Sequence, residues 1–454
     1  MTVVAQLQAA LGHLVDVDDG AREAARADHS GHAAVGRPLA IVHAETVEHV
    51  QQTLRIATAT HTPVVVRGAG TGLAGAANAG QGEIVLSTRR LNRVLEIRPD
   101  DLLAVVEPGI LNADLNRVLA EHGVWWAPDP ASREISTVGG NIATGAGGLL
   151  CAKYGVVRDA VLGVDVVLAD GRLLHLGHRS VKGVTGLDLT SLMIGSEGTL
   201  GVIVGATLKL RRLVEGTVCT IAATFPDVRH AAAASAAVTA TGVQPAIMEL
   251  MDAASLAAVH ALLALPAPPA AAAQLTIQTD GPSAAAEAER IAAVLRAHDG
   301  VATVSHDQEE GERLLAIRRS MHPAMAALGT TLIEDVSVPR SAMPQMFEEI
   351  ARIERDFGLT IPTVAHAGDG NLHPNFIFEG PDTPPHIWEA AGELFRAAIR
   401  LGGTLTGEHG IGVLKRRWLV DELGEDQWEL QRQIVRVFDP LGILNPGKVF
   451  SSDA

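Results

Sequence analysis

Cysteine is almost absent: Cys151 and Cys219 are the only two in 454 residues. Two thiols make no disulfide framework, so a stapled extracellular scaffold is excluded and reduced thiols in a cytosolic protein are expected. Aromatic side chains are scarce too, at 3%, with a single tyrosine at 154. Alanine, glycine and valine dominate instead, which is the composition of a folded α/β protein and not of a disordered chain. Positive charge is in deficit. A net charge of −16 argues against nucleic acid as a partner and against a basic membrane-binding face. Long apolar runs are missing: those near 164–168 and 192–194 are broken by Asp or Gly well short of a bilayer span. The N-terminus, Met1-Thr2-Val3-Val4-Ala5-Gln6, lacks the basic region and apolar run of a signal peptide. The expected location is therefore cytoplasmic, with any membrane encounter peripheral and at the inner face.

The chain is too long for one ordinary core, so two or more domains are expected. A helix at the N-terminus carries Leu7, Leu11 and Leu14 at helical spacing. A second helix, over 47–59, precedes the compact strand Pro63-Val64-Val65-Val66-Arg67. Composition shifts near Val214. Beyond it, strand-like pieces alternate with Ala-rich helices in a ferredoxin-like α+β pattern, with a Pro/Ala loop over Pro266 to Ala273. One helix is read over 313–328, another over 341–357, and helical sequence from Lys415 to Phe450. The expected domains are residues 1–214, 215–412 and a C-terminal helical segment, 413–454, that returns to the first.

Three glycine-rich stretches lie in the first domain. They are Arg67-Gly68-Ala69-Gly70-Thr71-Gly72-Leu73, then Ser136-Thr137-Val138-Gly139-Gly140-Asn141 through Thr144, then Gly195-Ser196-Glu197-Gly198-Thr199-Leu200-Gly201, which enters a strand at Val202 and Ile203. Backbone amides without side chains can wrap a phosphate. Gly70 to Gly75 also satisfies G-x-G-x-x-G, but a Rossmann fingerprint must open a helix, and Ala76 to Gly82 is a poor helix. Three loops around one long ligand fit better than one dinucleotide fingerprint.

The stretch Val364-Ala365-His366-Ala367-Gly368-Asp369-Gly370-Asn371-Leu372-His373-Pro374 cannot be helical, given its glycines and proline. It reads as a β-hairpin turning at Asp369-Gly370, or over a four-residue loop, Gly368 to Asn371, with the same pairing. That register opposes His366 to His373 and puts His366, Asn371, His373 and Asn375 on one face. Opposed residues have Cβ atoms about 5 Å apart, close enough for two imidazoles to hold one metal ion. The nearest carboxylate candidate is Glu408, in Glu408-His409-Gly410-Ile411-Gly412.

The three glycine stretches together resemble the FAD-binding domain of the vanillyl-alcohol-oxidase-type flavoproteins. The hairpin, the Glu408 segment and Asn445-Pro446-Gly447-Lys448 resemble the branch of glycolate oxidase flavin subunits, D-lactate dehydrogenases and D-2-hydroxyglutarate dehydrogenases. The likeness runs from about Arg37 to Phe450. It implies an α+β fold: a two-part FAD-binding domain, a ferredoxin-like substrate (cap) domain and a helical C-terminal segment. It implies non-covalent FAD, since no histidine lies in the first loop. The cofactor-binding positions so implied are the first-loop residues Arg67 to Leu73, Pro128, Ser136, Thr137, Gly139, Gly140, Asn141, Thr144, Gly198, Gly201, Val202, Ile203 and Asn445. A divalent metal, Zn or alternatively Mn or Fe, would be held by His366, His373 and Glu408. His409 would be the general base, Asn371 would approach the substrate, and Arg318 would grip its carboxylate, with Arg319 competing for that role.

The implied reaction oxidises a D-2-hydroxy acid to the 2-keto acid, with hydride passing to flavin N5. The implied partners are the small 2-hydroxy acid and an electron acceptor (quinone, cytochrome, electron-transfer flavoprotein or iron–sulfur subunit); a homodimer stays open. One departure bears on substrate. Hydroxyglutarate-type enzymes carry a lysine two residues before the Asp matching Asp335, where this chain has Ile333, so D-lactate or glycolate is favoured unless Arg340 or His322 substitutes. D-2-hydroxyglutarate oxidation and a flavin electron-relay subunit of a larger complex are the alternatives. Lys153 and Tyr154 are expected to be packing and solvated charge.

Overall fold

The computed structural model describes residues 1–269 and 272–450. It divides into two compact units. The first comprises Met1–Gly147, Gly155–Leu213 and the stretch from Glu408 onward; the second comprises Gly148–Tyr154 and Val214–Gly407. The return to the first unit thus comes at Glu408, not at 413, so Glu408 and His409 belong to the unit that carries the glycine loops. Residues 148–154, embedded in the sequence of the first unit, belong to the second.

The first unit holds two main sheets. In one, strands Ala40–His43, Ile84–Ser87 and Val64–Arg67 run parallel, with Val15–Asp16 antiparallel on the edge. Leu7, Leu11, Val50, Leu54 and Ala57 from two amphipathic helices, Val3–Leu11 and Val47–Ala59, fill its core. The second sheet is antiparallel and five-stranded; Val202–Lys209 lies at its centre between Leu103–Val106 and Val161–Val167. Its core includes Leu115, Leu119, Trp126 and Ile142, and Ile434, Val435 and Phe438 of the C-terminal helix Leu419–Phe438 pack against it. The helical sequence expected to Phe450 stops earlier. Asp439-Pro440 and Gly442 end it, and Leu444 instead bridges Val64 at the edge of the parallel sheet.

In the second unit the strands Thr217–Phe225, Ile247–Met251, Ala273–Gly281 and Val301–Ser305 lie in the spatial order fourth, first, third, second. That is the ferredoxin-like order expected from the strand and helix pattern. The sheet then continues through Thr363–His366 and Asn371–Phe378, the expected hairpin. Part of the Pro/Ala loop read over Pro266 to Ala273, residues 270 and 271, lies outside the described residues. The single helix expected over 313–328 is two helices, Gln308–Arg319 and Met321–Leu328. Pro323 explains the break: it lacks the N–H that a continuous helix would donate to the Arg319 carbonyl.

The hairpin register differs from the expected one. His366 opposes Asn371, Ala365 opposes Leu372 and Val364 opposes His373, around a four-residue turn, Ala367 to Gly370. The pairing is displaced by two residues, and an even displacement leaves the faces unchanged. His366, Asn371, His373 and Asn375 therefore still share one face. Gly370 shows why the turn closes here: its φ is +90°, and a Cβ would lie 2.1 Å from the Val338 carbonyl oxygen. Only glycine reaches that conformation at that approach.

Candidate functional site

The hairpin presents its two histidines as diagonal neighbours. Their ring centroids are 5.0 Å apart, the rings stand edge to face, and both residues are buried. Behind them lies a carboxylate that the sequence reading did not single out. Glu249, on the strand Ile247–Met251, is the direct register partner of His366, and its Oε1 lies 2.7 Å from His366 Nδ1. Its other oxygen lies 2.8 Å from Arg318 Nε, with the N–H direction falling outside hydrogen-bond geometry, so the contact is an ion pair. Glu249 is 1% exposed. Arg318 faces inward, whereas Arg319 pairs with Glu312 at the surface. The two arginines therefore occupy different faces of the helix. His322 and Arg340 are exposed.

Asp335 organises the rest of the hairpin. Fully buried, it accepts from the Asn371 side-chain amide at 2.5 Å, from the Thr406 hydroxyl and from the Gly407 N–H at 3.0 Å. Asn371 also donates to the Val336 carbonyl at 3.0 Å. The residue expected to approach the substrate therefore uses its amide nitrogen as scaffold; its Oδ1 remains, buried and without a hydrogen-bond partner among the described residues.

In the first unit the Glu408 segment is clamped between two of the glycine loops. The Val413 N–H donates to the Ala74 carbonyl at 2.9 Å, and the Ile411 and Gly412 N–H groups donate to the two carboxylate oxygens of Glu197 at 2.7 and 2.8 Å. Gly412, at φ +51°, leaves no room for a side chain, since a Cβ would meet the Ala74 oxygen at 2.0 Å. His409 Nε2 lies 3.5 Å from Glu408 Oε1.

Several expected cofactor residues make hydrogen bonds that brace the loops. Arg67 donates to the carbonyls of Ala77 and Ala27, at 2.7 and 2.8 Å, and so braces the Gly68–Leu73 turn from outside. Asn445 accepts from the Val66 N–H at 3.0 Å and donates to the Glu197 carbonyl at 2.5 Å, stitching the first loop to the third. Pro128 accepts from the Asn112 side chain at 2.9 Å, and Gly139 donates to Pro108 at 2.7 Å. Gly198 precedes, and Gly201 leads into, the buried strand that starts Val202-Ile203. The second glycine-rich stretch contains a short helix, Val138–Thr144, which Thr137 caps by accepting from the Gly140 N–H at 3.2 Å.

The loops fit a polar cofactor. The Ser136 hydroxyl and the Asn141 amide nitrogen are buried without hydrogen-bond partners among the described residues. Such orphans are costly unless a ligand satisfies them. Asp28, unnoticed in the sequence, accepts from the Gly75 N–H at 3.0 Å and ties down the end of the first loop. Lys153 and Tyr154 both engage Asp280, with Lys153 also 5.5 Å from the tyrosine ring. That corrects their assignment as solvated charge and packing, and it accounts for the 148–154 segment joining the second unit.

Two buried carboxyls carry a pH signature. Burial pushes Glu197 up to about 7 and Asp252, which caps the helix Ala253–Leu262, up to about 6, in each case against backbone N–H donors. A carboxyl raised on folding contributes stability that is present below its unfolded pKa of about 4 and is lost as pH rises through its folded value. The unliganded protein is therefore expected to lose about 4 kcal/mol between pH 5 and 8 from these two groups together, the larger share from Glu197. Urea midpoints across that range test it: a flat profile, or one unaltered by Glu197→Gln, removes Glu197 as the cause.

No helix among the described residues is long and apolar enough to cross a membrane. Residues 38–177 match the FAD binding domain family, and residues 216–449 match the family described as FAD linked oxidases, C-terminal domain. Glycolate oxidase subunit GlcD of Bacillus subtilis (strain 168) is 38% identical over 423 residues, covering 92% of this chain and 90% of its own. D-lactate dehydrogenase of Archaeoglobus fulgidus is 35% identical over 413 residues, covering 90% of each chain. Among solved structures, p-cresol methylhydroxylase with substrate bound superposes with a TM-score of 0.80 at 16% identity, over 100% of this chain and 97% of that one, a likeness of fold. The chain belongs to the FAD-linked oxidases, in the vanillyl-alcohol-oxidase-type branch with the glycolate oxidase subunits and D-lactate dehydrogenases, and is a flavin-dependent oxidoreductase acting on CH–OH groups.

Proposed function

We propose that this protein oxidises a D-2-hydroxy monocarboxylate, D-lactate or glycolate, to the 2-keto acid. His366, His373 and Glu408 are assigned as ligands of a divalent metal. The observation that carries this reading is the Glu249 carboxylate on His366 Nδ1. It leaves Nε2 as the ligating nitrogen, the arrangement by which proteins orient metal-bound imidazoles. Two imidazoles and a carboxylate form a donor set suited to Zn, Mn or Fe. Glu408 follows Gly407, whose N–H is fixed on Asp335, so the chain leaves the hairpin side at a defined point.

FAD, held by the three loops, supplies the hydride acceptor, and the metal would polarise the substrate hydroxyl. The protein's own contributions are then separable. Arg318 holds the substrate carboxylate, and His409 takes the hydroxyl proton. Ile333 favours a small side chain. It pairs with Asn375 in the ladder, on the face that carries His373, and offers no cation to a second carboxylate.

The test is anaerobic: the flavin absorbance of purified protein is followed on adding D-lactate, glycolate or D-2-hydroxyglutarate. Bleaching by the first two, abolished by a chelator while flavin stays bound, is the expected result. Bleaching by D-2-hydroxyglutarate alone, or bleaching indifferent to complete metal removal, would sink the reading. The B. subtilis relative is named as a subunit, which favours one second reading, that turnover needs partner subunits. Bleaching without turnover, with turnover restored by added subunits, would establish it.

A further inference from the structure

We propose that Glu249 is a positioning residue that sets His366 and Arg318 from one buried carboxylate, so that the metal-ligand nitrogen and the substrate-gripping guanidinium are held in fixed relation. The inference rests on the function proposed above for those two side chains.

The placement makes the argument. Glu249 sits between Met248 and Leu250 on a strand whose five residues are all buried. A carboxylate there is costly unless it is paired. Both oxygens are used: Oε1 at 2.7 Å from His366 Nδ1, and Oε2 at 2.8 Å from Arg318 Nε. These contacts join the hairpin strand Thr363–His366 to the helix Gln308–Arg319, elements separated by 43 or more residues of chain (319 to 363). Accepting the Nδ1 proton fixes the neutral tautomer of His366 with its lone pair on Nε2. Engaging Arg318 through Nε leaves the two terminal nitrogens as the guanidinium edge that can fork a carboxylate. No other partner of Arg318 occurs among the described residues. An apolar residue at 249 would pack as well and would do neither.

The two contacts give two separable readouts. Glu249→Gln keeps the shape, but a neutral amide with one acceptor oxygen cannot both accept from His366 and ion-pair with Arg318. With Mn²⁺ and D-lactate as probes, this variant is expected to bind the metal about 10–100-fold more weakly, as loss of a partner behind a ligating histidine does, and to raise KM for D-lactate about tenfold or more. Flavin content and thermal midpoint monitor folding. Arg318→Met is expected to reproduce the KM effect and leave metal affinity at the parent value, a split that general loosening of the core would not produce. Glu249→Gln with parental metal affinity and parental KM overturns the proposal, as does Arg318→Met weakening the metal as much as Glu249→Gln does. If the parent protein retains no metal, the metal reading of the previous section fails, and the KM of Glu249→Gln alone decides: a parental value overturns the positioning role, a raised one upholds it for Arg318.

Discussion

His373→Ala is expected to lower kcat for the hydroxy acid by about 10³-fold or more while leaving flavin absorbance in place. The size follows from the chemistry. Metal polarisation of a reacting hydroxyl is worth several kcal/mol, and each ~1.4 kcal/mol is tenfold in rate. The retained flavin follows from the architecture. His373 lies on a strand of the second unit, whereas the glycine loops and their braces, Arg67, Asp28 and Asn445, all belong to the first. The variant also separates ligation from packing. His373 is buried on the same face as His366, so a structural role would appear in the thermal midpoint, and a ligand role in metal content at an unchanged midpoint. Metal analysis beside anaerobic flavin reduction reads both. Full metal occupancy with parental turnover would remove His373 from the ligand set.

Asp335→Ala carries the largest expected cost in stability, about 3–5 kcal/mol, because it removes a buried carboxylate that accepts from three donors. Those partners are the Asn371 side chain, the Thr406 hydroxyl and the Gly407 N–H. For a unit of roughly 200 residues such a loss lowers the midpoint by on the order of 10 °C. Calorimetry is the direct measurement, and a shift within a degree or two would show that the network relaxes around the missing group. Asp335→Asn is expected to fall between the parent and Ala, since one oxygen can still accept. Turnover should fall further than stability explains, because Gly407 is where the backbone is anchored immediately before Glu408.

Much of the site was legible because its residues are local. Glycine stretches beside strands, a histidine pair around a Gly-Asp-Gly turn and a Glu-His pair before Gly-x-Gly are short-range patterns. The alternation of side chains along a strand put His366 and His373 on one face even though the turn was placed wrongly. The error was in the position of the turn: the reading centred it on Asp369-Gly370, but Gly370 packs under the Val338 carbonyl and the chain turns over 367–370. Burial by another segment overrode a local preference.

The carboxylates were not legible in the same way. Glu249, Asp335, Glu197 and Asp28 act on residues that lie 36 to 215 positions away along the chain, as the contacts to His366, Asn371, Gly412 and Gly75 show. The one local trace of Glu249 was a charge inside an apolar strand. By itself the sequence determined the mixed α+β class, the glycine loops and the chemical types at the candidate site, because these depend on composition, spacing, backbone freedom and motifs that carry a family resemblance. Only the tertiary structure decided which arginine faces inward, which nitrogen of His366 is committed, and that the backbone of residues 411–413, just after Glu408 and His409, is clamped to the glycine loops. Those outcomes depend on pairing between distant segments, where burial leaves a charged or polar group no alternative to the partner the fold supplies.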